Sequence, residues 1–228
     1  MKRFLIVSLT LGLLLQAADA RAQSLRFGVK GGIASTTLVG EDVKDLGAKS
    51  LTGGIAGGFL TVQFGQFFAL QPEVLWTRKG AQLTIEDEEV PGSAMEGDFR
   101  VDYIEIPLLA QAIFALPGDR VLPRIFAGPA VSFKNRCEAQ VDDGGVEVKM
   151  DCDEVDADVT KTDWGAVMGL GTEIDLGALA LVLDARASFG LNTIDDTANP
   201  DEIKNRSLSA MVGVSIPLGR RAPLAARL

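Results

Sequence analysis

Hydrophobic residues recur at every second position over short stretches of this chain. The clearest stretch begins at residue 25, where one set of alternate positions is apolar: Leu25, Phe27, Val29 and Ile33. The positions between them are charged or small: Arg26, Gly28, Lys30 and Gly32. Successive side chains of a β-strand point to opposite faces of the sheet, so this period of two predicts a strand with one apolar and one polar face.

Eight segments share this alternation and predict eight strands: residues 25–35, 51–64, 68–79, 101–114, 123–134, 163–174, 178–191 and 206–218. Each suits a tilted membrane strand, which needs about 9–11 residues. Short links lie around residues 65–66, 117–122 and 176–177, whereas long links follow the first, third, fifth and seventh segments. Short turns at one end and long loops at the other are typical of outer-membrane barrels. The predicted fold is therefore all-β, an eight-stranded antiparallel up-and-down transmembrane β-barrel.

A water-soluble barrel would show the same alternation with its apolar face inside, so the polar face has to distinguish the two. A solvated outer face is usually crowded with Lys, Glu and Thr. Here the polar face is rich in small residues: Gly28, Gly32, Gly57, Gly165, Gly169, Gly171, Ser188, Gly190, Gly213 and Ser215. This composition favours a narrow lumen inside a membrane barrel. A soluble periplasmic ligand-binding barrel remains an alternative.

Aromatic residues near the predicted strand ends give weaker support for a membrane position, since outer-membrane barrels carry aromatic girdles at both interfaces. They are Phe64, Phe67, Phe68, Trp76, Tyr103, Phe114, Phe133, Trp164 and Phe189.

The first 22 residues have the features of a cleavable signal peptide. Lys2 and Arg3 precede an apolar stretch at residues 4–15, which is too short to span a bilayer, and small-residue cleavage sites follow. We therefore expect export through the inner membrane, a barrel at residues 23–218 and a short C-terminal tail at residues 219–228.

The formal net charge of -9 argues against a nucleic-acid partner, which would require clustered Lys and Arg. The acidic residues concentrate at residues 86–89, 142–143, 151–158 and 195–196, between the predicted strands. We predict solvated extracellular loops there. The expected partners are outer-membrane lipid and lipopolysaccharide, and the barrel-assembly machinery during biogenesis, for a chain that acts as a monomer.

Charged residues on the inward positions form the candidate functional set: Arg26, Lys30, Glu73, Lys79, Glu105, Arg124, Lys134, Glu173, Asp184 and Arg186. Enclosing such groups without partners is costly, so we expect a salt-bridged and partly hydrated plug. A narrow path for ions or protons along the same charges is the alternative.

Cys137 and Cys152 flank the acidic stretch between the fifth and sixth segments. In an exported chain we predict a disulfide between them, which closes a loop of about 15 residues and contributes about 3 kcal/mol. The chain contains no His and no Gly-x-Ser-x-Gly motif, so neither a His-dependent catalytic triad nor a complete metal-ligand set is evident. We predict no enzyme activity, no cofactor and no metal.

Several short phrases, in order along the chain, carry a family resemblance: residues 27–32, 70–75, 78–80, 103–108, 126–129, 184–191 and 205–208. Together they resemble the porin-like or PorT-like outer-membrane β-barrel domain proteins common in Bacteroidetes and their relatives. The resemblance implies a small eight-stranded barrel in the cell outer membrane, without a defined substrate. We expect a structural or surface-interaction role through the acidic loops, with a narrow porin-like pore as the alternative.

Overall fold

The computed structural model describes residues 24–39, 49–86, 94–114, 116–118, 120–143, 146–151, 162–191 and 204–218. The predicted signal peptide and C-terminal tail lie outside these ranges. Nine strands are present in them: β1 Ser24–Val39, β2 Lys49–Phe64, β3 Phe68–Glu86, β4 Ala94–Ile113, β5 Val121–Asp143, β6 Val146–Asp151, β7 Thr162–Asp175, β8 Ala180–Gly190 and β9 Lys204–Leu218. Among these residues, no helix is long and apolar enough to cross a membrane.

Eight of the strands close into an antiparallel barrel. Strands β1 to β5 pair in chain order, β5 pairs with β7, and β7, β8 and β9 follow in order until β9 pairs with β1. In the described part of the chain, β6 pairs only with β5 and stands outside the closed ring. The predicted eight-stranded antiparallel barrel is confirmed.

The apolar face of the barrel points outward. On β1, Phe27, Val29 and Ile33 are 44%, 50% and 63% exposed, whereas Lys30 between them is 4% exposed. The other barrel strands repeat this arrangement. Because a soluble barrel would bury its apolar face, the alternative of a soluble periplasmic ligand-binding barrel is wrong. The outer surface is instead a belt suited to lipid.

Tight turns join the strands at one end of the barrel, which we call the turn end. Gly65 and Gly177 adopt positive φ angles of 67° and 92°, which glycine tolerates without steric cost. The Gly177 N–H also donates a 2.7 Å hydrogen bond to the Asp175 carboxylate. Ser24, where β1 begins, and Leu218, where β9 ends, lie at this same end. We call the opposite end the loop end.

At the loop end, β3, β4 and β5 continue past the last residues at which their barrel neighbours pair with them. The continuations pair with each other and with β6 in a sheet that we call the extension sheet: residues 83–86, 94–100, 138–143 and 146–151. The predicted solvated loops are therefore wrong at four positions that lie at strand ends: Glu86, Asp142, Asp143 and Asp151. The other acidic residues of those segments lie outside the described residues.

The prediction missed these strand continuations because main-chain pairing depends little on side-chain identity. A hairpin beyond the membrane has no need of an apolar face, so its sequence carries weak alternation.

Five of the predicted aromatic residues are exposed near the two ends of the barrel. Phe67, Phe68 and Phe114 are exposed at the turn end, and Phe133 and Trp164 are exposed toward the loop end. Tyr103 was predicted to belong to a girdle, but it is 1% exposed and points into the lumen, because its position on β4 has the inward parity of the strand.

If the outer belt contacts lipid, a charged side chain placed on it should destabilise the barrel. Val74 lies near the middle of the barrel part of β3 and is 55% exposed. We expect Val74→Lys to lower the free energy of unfolding by about 2–4 kcal/mol, and Val121→Lys, at the turn end, to lower it by about 0–1 kcal/mol. Urea unfolding in lipid vesicles, followed by tryptophan fluorescence, measures both changes. Equal losses at the two positions would contradict a lipid-facing belt.

Candidate functional site: the charged lumen

Three charged side chains meet in the middle of the lumen. Lys30 of β1 donates hydrogen bonds from Nζ to Glu73 Oε1 of β3 at 2.6 Å and to Asp184 Oδ2 of β8 at 2.9 Å. The side chains of Lys30 and Glu73 are 0% exposed, and that of Asp184 is 1% exposed. One ammonium group therefore bridges carboxylates from two different walls of the barrel.

Arg186 completes this cluster by crossing the lumen. Its Nη2 atom lies 3.0 Å from Glu73 Oε2 and 3.8 Å from Asp184 Oδ2. Strands β3 and β8 are four positions apart in a ring of eight, so the Arg186–Glu73 pair joins opposite walls. The guanidinium also lies 5.6 Å from the centre of the Phe126 ring, which adds a cation–π contact.

Toward the turn end, two more arginines extend the network. Arg124 Nη2 of β5 lies 2.5 Å from Asp184 Oδ1, and its Nη1 lies 3.7 Å from Glu173 Oε2 of β7. Arg26 Nε of β1 lies 2.8 Å from Glu173 Oε1, and the Arg26 guanidinium also donates to the Ser215 hydroxyl. The network thus continues from the central cluster to the turn side without leaving the lumen.

Toward the loop end lies a second ion pair. Lys79 Nζ of β3 donates to Glu105 Oε2 of β4 at 2.7 Å, and the ammonium group lies 5.4 Å from the centre of the Tyr103 ring. The Asn205 side chain hydrogen-bonds both Tyr103 and Asp163. A cavity beside these groups offers about 10 Å³ for the centre of a water molecule, which is room for about one water.

Nine of the ten charges predicted to face the lumen lie in these ion pairs. The tenth, Lys134, occupies an inward position of β5 near the loop end and is half-buried. It is outside the ion pairs given above. Asp163 was missed by the prediction although it is 4% exposed. The alternation of β7 could have identified Asp163 as inward-facing, because it lies on the same face of the strand as Glu173.

With Asp163 included, the paired and hydrogen-bonded lumenal charges balance. Five are cationic, Arg26, Lys30, Lys79, Arg124 and Arg186, and five are anionic, Glu73, Glu105, Asp163, Glu173 and Asp184. The low dielectric of an enclosed lumen makes an unpaired charge expensive, so the pairing of these groups lowers the free-energy cost of enclosing them.

Apolar side chains fill the lumen around the charges. Ala69, Ile113 and Leu122 form a buried cluster near the turn end. Two further clusters lie beside the network: Leu109, Phe126, Ala130 and Val167, and Ala34, Ile55, Leu75 and Met211. The glycines of the inward face provide the space, since a Cβ atom on Gly28 would overlap the Phe59 ring. That ring in turn lies 5.1 Å from the Lys30 ammonium group.

Cys137 is buried near the loop end of β5 and is not a free thiol. Cys152 lies outside the described residues. The disulfide between Cys137 and Cys152 therefore stays a prediction.

A closed antiparallel barrel with an apolar outer belt and a charged lumen defines a transmembrane β-barrel of the outer-membrane class. A model of the outer membrane protein beta-barrel domain family matches residues 18–196 of the chain. The chain belongs to this family, and its location is the outer membrane. Among curated proteins, none matches the chain.

Solved structures of small outer-membrane barrels are similar to the chain at low sequence identity. Neisserial surface protein A is 18% identical, with 83% of this chain and 96% of that protein covered and a TM-score of 0.44. The outer membrane protein OprG from Pseudomonas aeruginosa is 13% identical, with 88% and 99% covered and a TM-score of 0.46. The attachment invasion locus protein Ail of Yersinia pestis is 12% identical, with 85% and 100% covered and a TM-score of 0.41.

Two ion pairs between β3 and β4 give a matched test of the lumenal network. We expect Lys79→Met to lower the free energy of unfolding by about 3–5 kcal/mol, because Glu105 is then buried without its cation. Adding Glu105→Gln should restore most of this loss. Arg78 pairs with Asp102 on the outer face, where the Arg78 side chain is 36% exposed and the Asp102 side chain is 12% exposed. Because the Arg78 end of this pair is partly solvated, Arg78→Gln should cost less than Lys79→Met, about 1–2 kcal/mol.

Urea unfolding of wild type and the three variants in lipid vesicles measures these differences. A loss for Lys79→Met as small as that for Arg78→Gln would mean that water reaches the inner pair.

Proposed function

We propose that this protein is a non-catalytic outer-membrane barrel with a plugged lumen, and that its loop-end surface carries a structural or surface-interaction role. The observation that carries the proposal is the pair of Arg186 and Glu73, which joins opposite walls with both side chains 0% exposed. A path for ions would have to pass through this pair.

The contacts around that pair support a plug more than a pore. A conducting filter offers an ion binding groups that it can enter and leave. Here Glu73 already accepts hydrogen bonds from Lys30, Gln71 and Arg186, so its oxygens are occupied by protein donors. Nearer the turn end, the cluster that contains Ile113 and Leu122 adds an apolar barrier.

A narrow path for ions or protons is the second candidate, and it rests on polar atoms that need water. Buried lumenal atoms without a protein partner include both amide atoms of Gln111, Arg124 Nε, Asp163 Oδ1, and Arg186 Nε and Nη1. Ordered waters usually satisfy such groups. The Arg186–Glu73 pair occupies the middle of the lumen with both side chains 0% exposed, so we favour the plug.

The extension sheet supports a role at the cell surface. Its residues include eight acids, Glu86, Glu96, Asp98, Glu138, Asp142, Asp143, Glu147 and Asp151, and two bases, Arg100 and Lys149. A surface with this excess of negative charge attracts cationic partners and speeds their association. Within the described residues, the second edge of β6 has no strand partner, so main-chain groups there are available to an extended segment.

Planar-bilayer recording tests the plug. We expect the folded mature chain to give no discrete conductance steps, because the Arg186–Glu73 pair and the apolar cluster block the lumen. A heat-modifiability gel on the same sample shows whether the barrel has formed. Ion-selective steps from folded wild type that change in size with Arg186→Ser would overturn the plug and establish the pore.

A cationic probe tests the surface role. We expect a fluorescent oligolysine peptide to bind vesicles that carry the wild-type barrel with its loop end outward. The triple variant Asp142→Asn, Asp143→Asn and Glu147→Gln should bind it about ten-fold more weakly at low salt, since three acidic charges at about 0.5 kcal/mol each total about 1.5 kcal/mol.

The matched control is Asp175→Asn, at the turn end, which should leave probe binding unchanged. Salt should reduce the difference, because it screens exposed charges. Equal probe binding by wild type and triple variant at low salt would count against an interaction surface on the extension sheet.

A further inference from the structure

The lipid-facing surface contains a groove that neither the plug nor the extension sheet explains. The strand registers align Leu170, Ala185, Ala210 and Ile33 in one row across β7, β8, β9 and β1. The next row toward the loop end aligns Met168, Ala187, Leu208 and Ser35. Small side chains therefore form the floor of the groove and large ones its sides, around about 530 Å³ of space.

The sides of the groove are among the most exposed apolar side chains of the described strands. Leu208, Leu170 and Ile33 are 68%, 64% and 63% exposed, and Met168 is 52% exposed. Exposed apolar groups on this belt contact hydrocarbon, and an apolar groove between them has no water to fill it. The groove needs an apolar occupant that is long and narrow.

The ends of the groove differ in chemistry. The next row toward the turn end contains Leu183 and Val212, which close that end with apolar side chains. The next row toward the loop end contains Phe189 paired with Arg206, and Arg206 is exposed. On β9 and β1 the groove occupies the loop-side half, so Arg206 lies at the loop-side border of the apolar belt, the depth at which lipid headgroups are expected.

We propose that this groove binds one anionic lipid of the outer leaflet. An acyl chain lies in the groove over Ala185, Ala187 and Ala210, and a phosphate of the headgroup binds the Arg206 guanidinium. The guanidinium is suited to phosphate because its planar fork donates two parallel hydrogen bonds. This site is separate from the lumen and the extension sheet, so it does not depend on the proposed function.

A lipid fits the groove better than a second copy of the chain. In a twofold-symmetric contact about the membrane normal the same patch meets itself, so the two Arg206 side chains would lie at the same membrane depth beside the interface and repel each other. A lipid phosphate supplies the anionic partner that Arg206 would lack in such a dimer.

The test uses the full mature chain in nanodiscs of zwitterionic lipid that contain a small fraction of diphosphoryl lipid A. Native mass spectrometry after release from the nanodisc counts the retained lipid A. We expect one retained molecule for wild type. Arg206→Gln should weaken retention about five-fold, which corresponds to about 1 kcal/mol for a basic residue near an anionic surface.

Ala185→Leu combined with Ala210→Leu fills the groove and should abolish retention. The chain offers a matched control in a second outer groove, near the turn end, which contains Ala110 and Ala112. Ala110→Leu combined with Ala112→Leu should retain lipid A as wild type does, and so should Arg78→Gln, an arginine on another face. A heat-modifiability gel verifies that every variant is folded.

Three results would overturn the proposal. Retention of zwitterionic lipid equal to that of lipid A would show that the groove lacks headgroup selectivity. Loss of lipid A binding on addition of inorganic phosphate would identify Arg206 as a free-anion site. A dimer that the filled groove dissociates would identify this face as a subunit interface.

Discussion

The constraint on which this structure depends is that every main-chain N–H and C=O group inside a bilayer needs a partner. A β-sheet meets it only by closing on itself, which here is the pairing of β9 with β1 over fifteen register positions from Leu25↔Leu218 to Val39↔Lys204. Closure at eight strands gives an interior just wide enough for side chains. The small inward glycines, the packed Phe59 ring and the paired charges all follow from that narrow interior.

The charges illustrate how polarity is reversed relative to a soluble protein. The belt that would be a core in water is the exterior, and the interior is polar. Such an interior is stable only when its charges have partners, and each carboxylate of the central cluster contacts cations from more than one strand. The network therefore fixes strand register as well as filling space, since a shift of one residue would turn Lys30 or Glu73 toward lipid.

The barrel could be predicted from the sequence because alternation is a local pattern. Lipid selects apolar residues at one set of positions, and the lumen selects polar or small residues at the other. Val29 faces lipid and Lys30 faces the lumen, so the sides on which these neighbours lie could be predicted from the sequence alone. The partner of each charge could not be predicted from the sequence. The alternation places Arg186 in the lumen, but only the order of the strands in the barrel shows that Glu73 lies opposite. The extension sheet was missed because main-chain pairing beyond the lipid belt does not require an apolar side chain at every second position, so its sequence shows little alternation.

The Arg186–Glu73 contact joins residues 113 positions apart in the chain. Glu73 lies on β3, and Arg186 follows only on β8, so the pair cannot form until most of the strands are in place. A partly inserted sheet would hold these charges in hydrocarbon without their counterions. The free-energy cost of that partly inserted state therefore favours a pathway in which the strands insert together. The charged network then loses its hydration water as the ring closes, and its ion pairs slow the unfolding of the finished barrel.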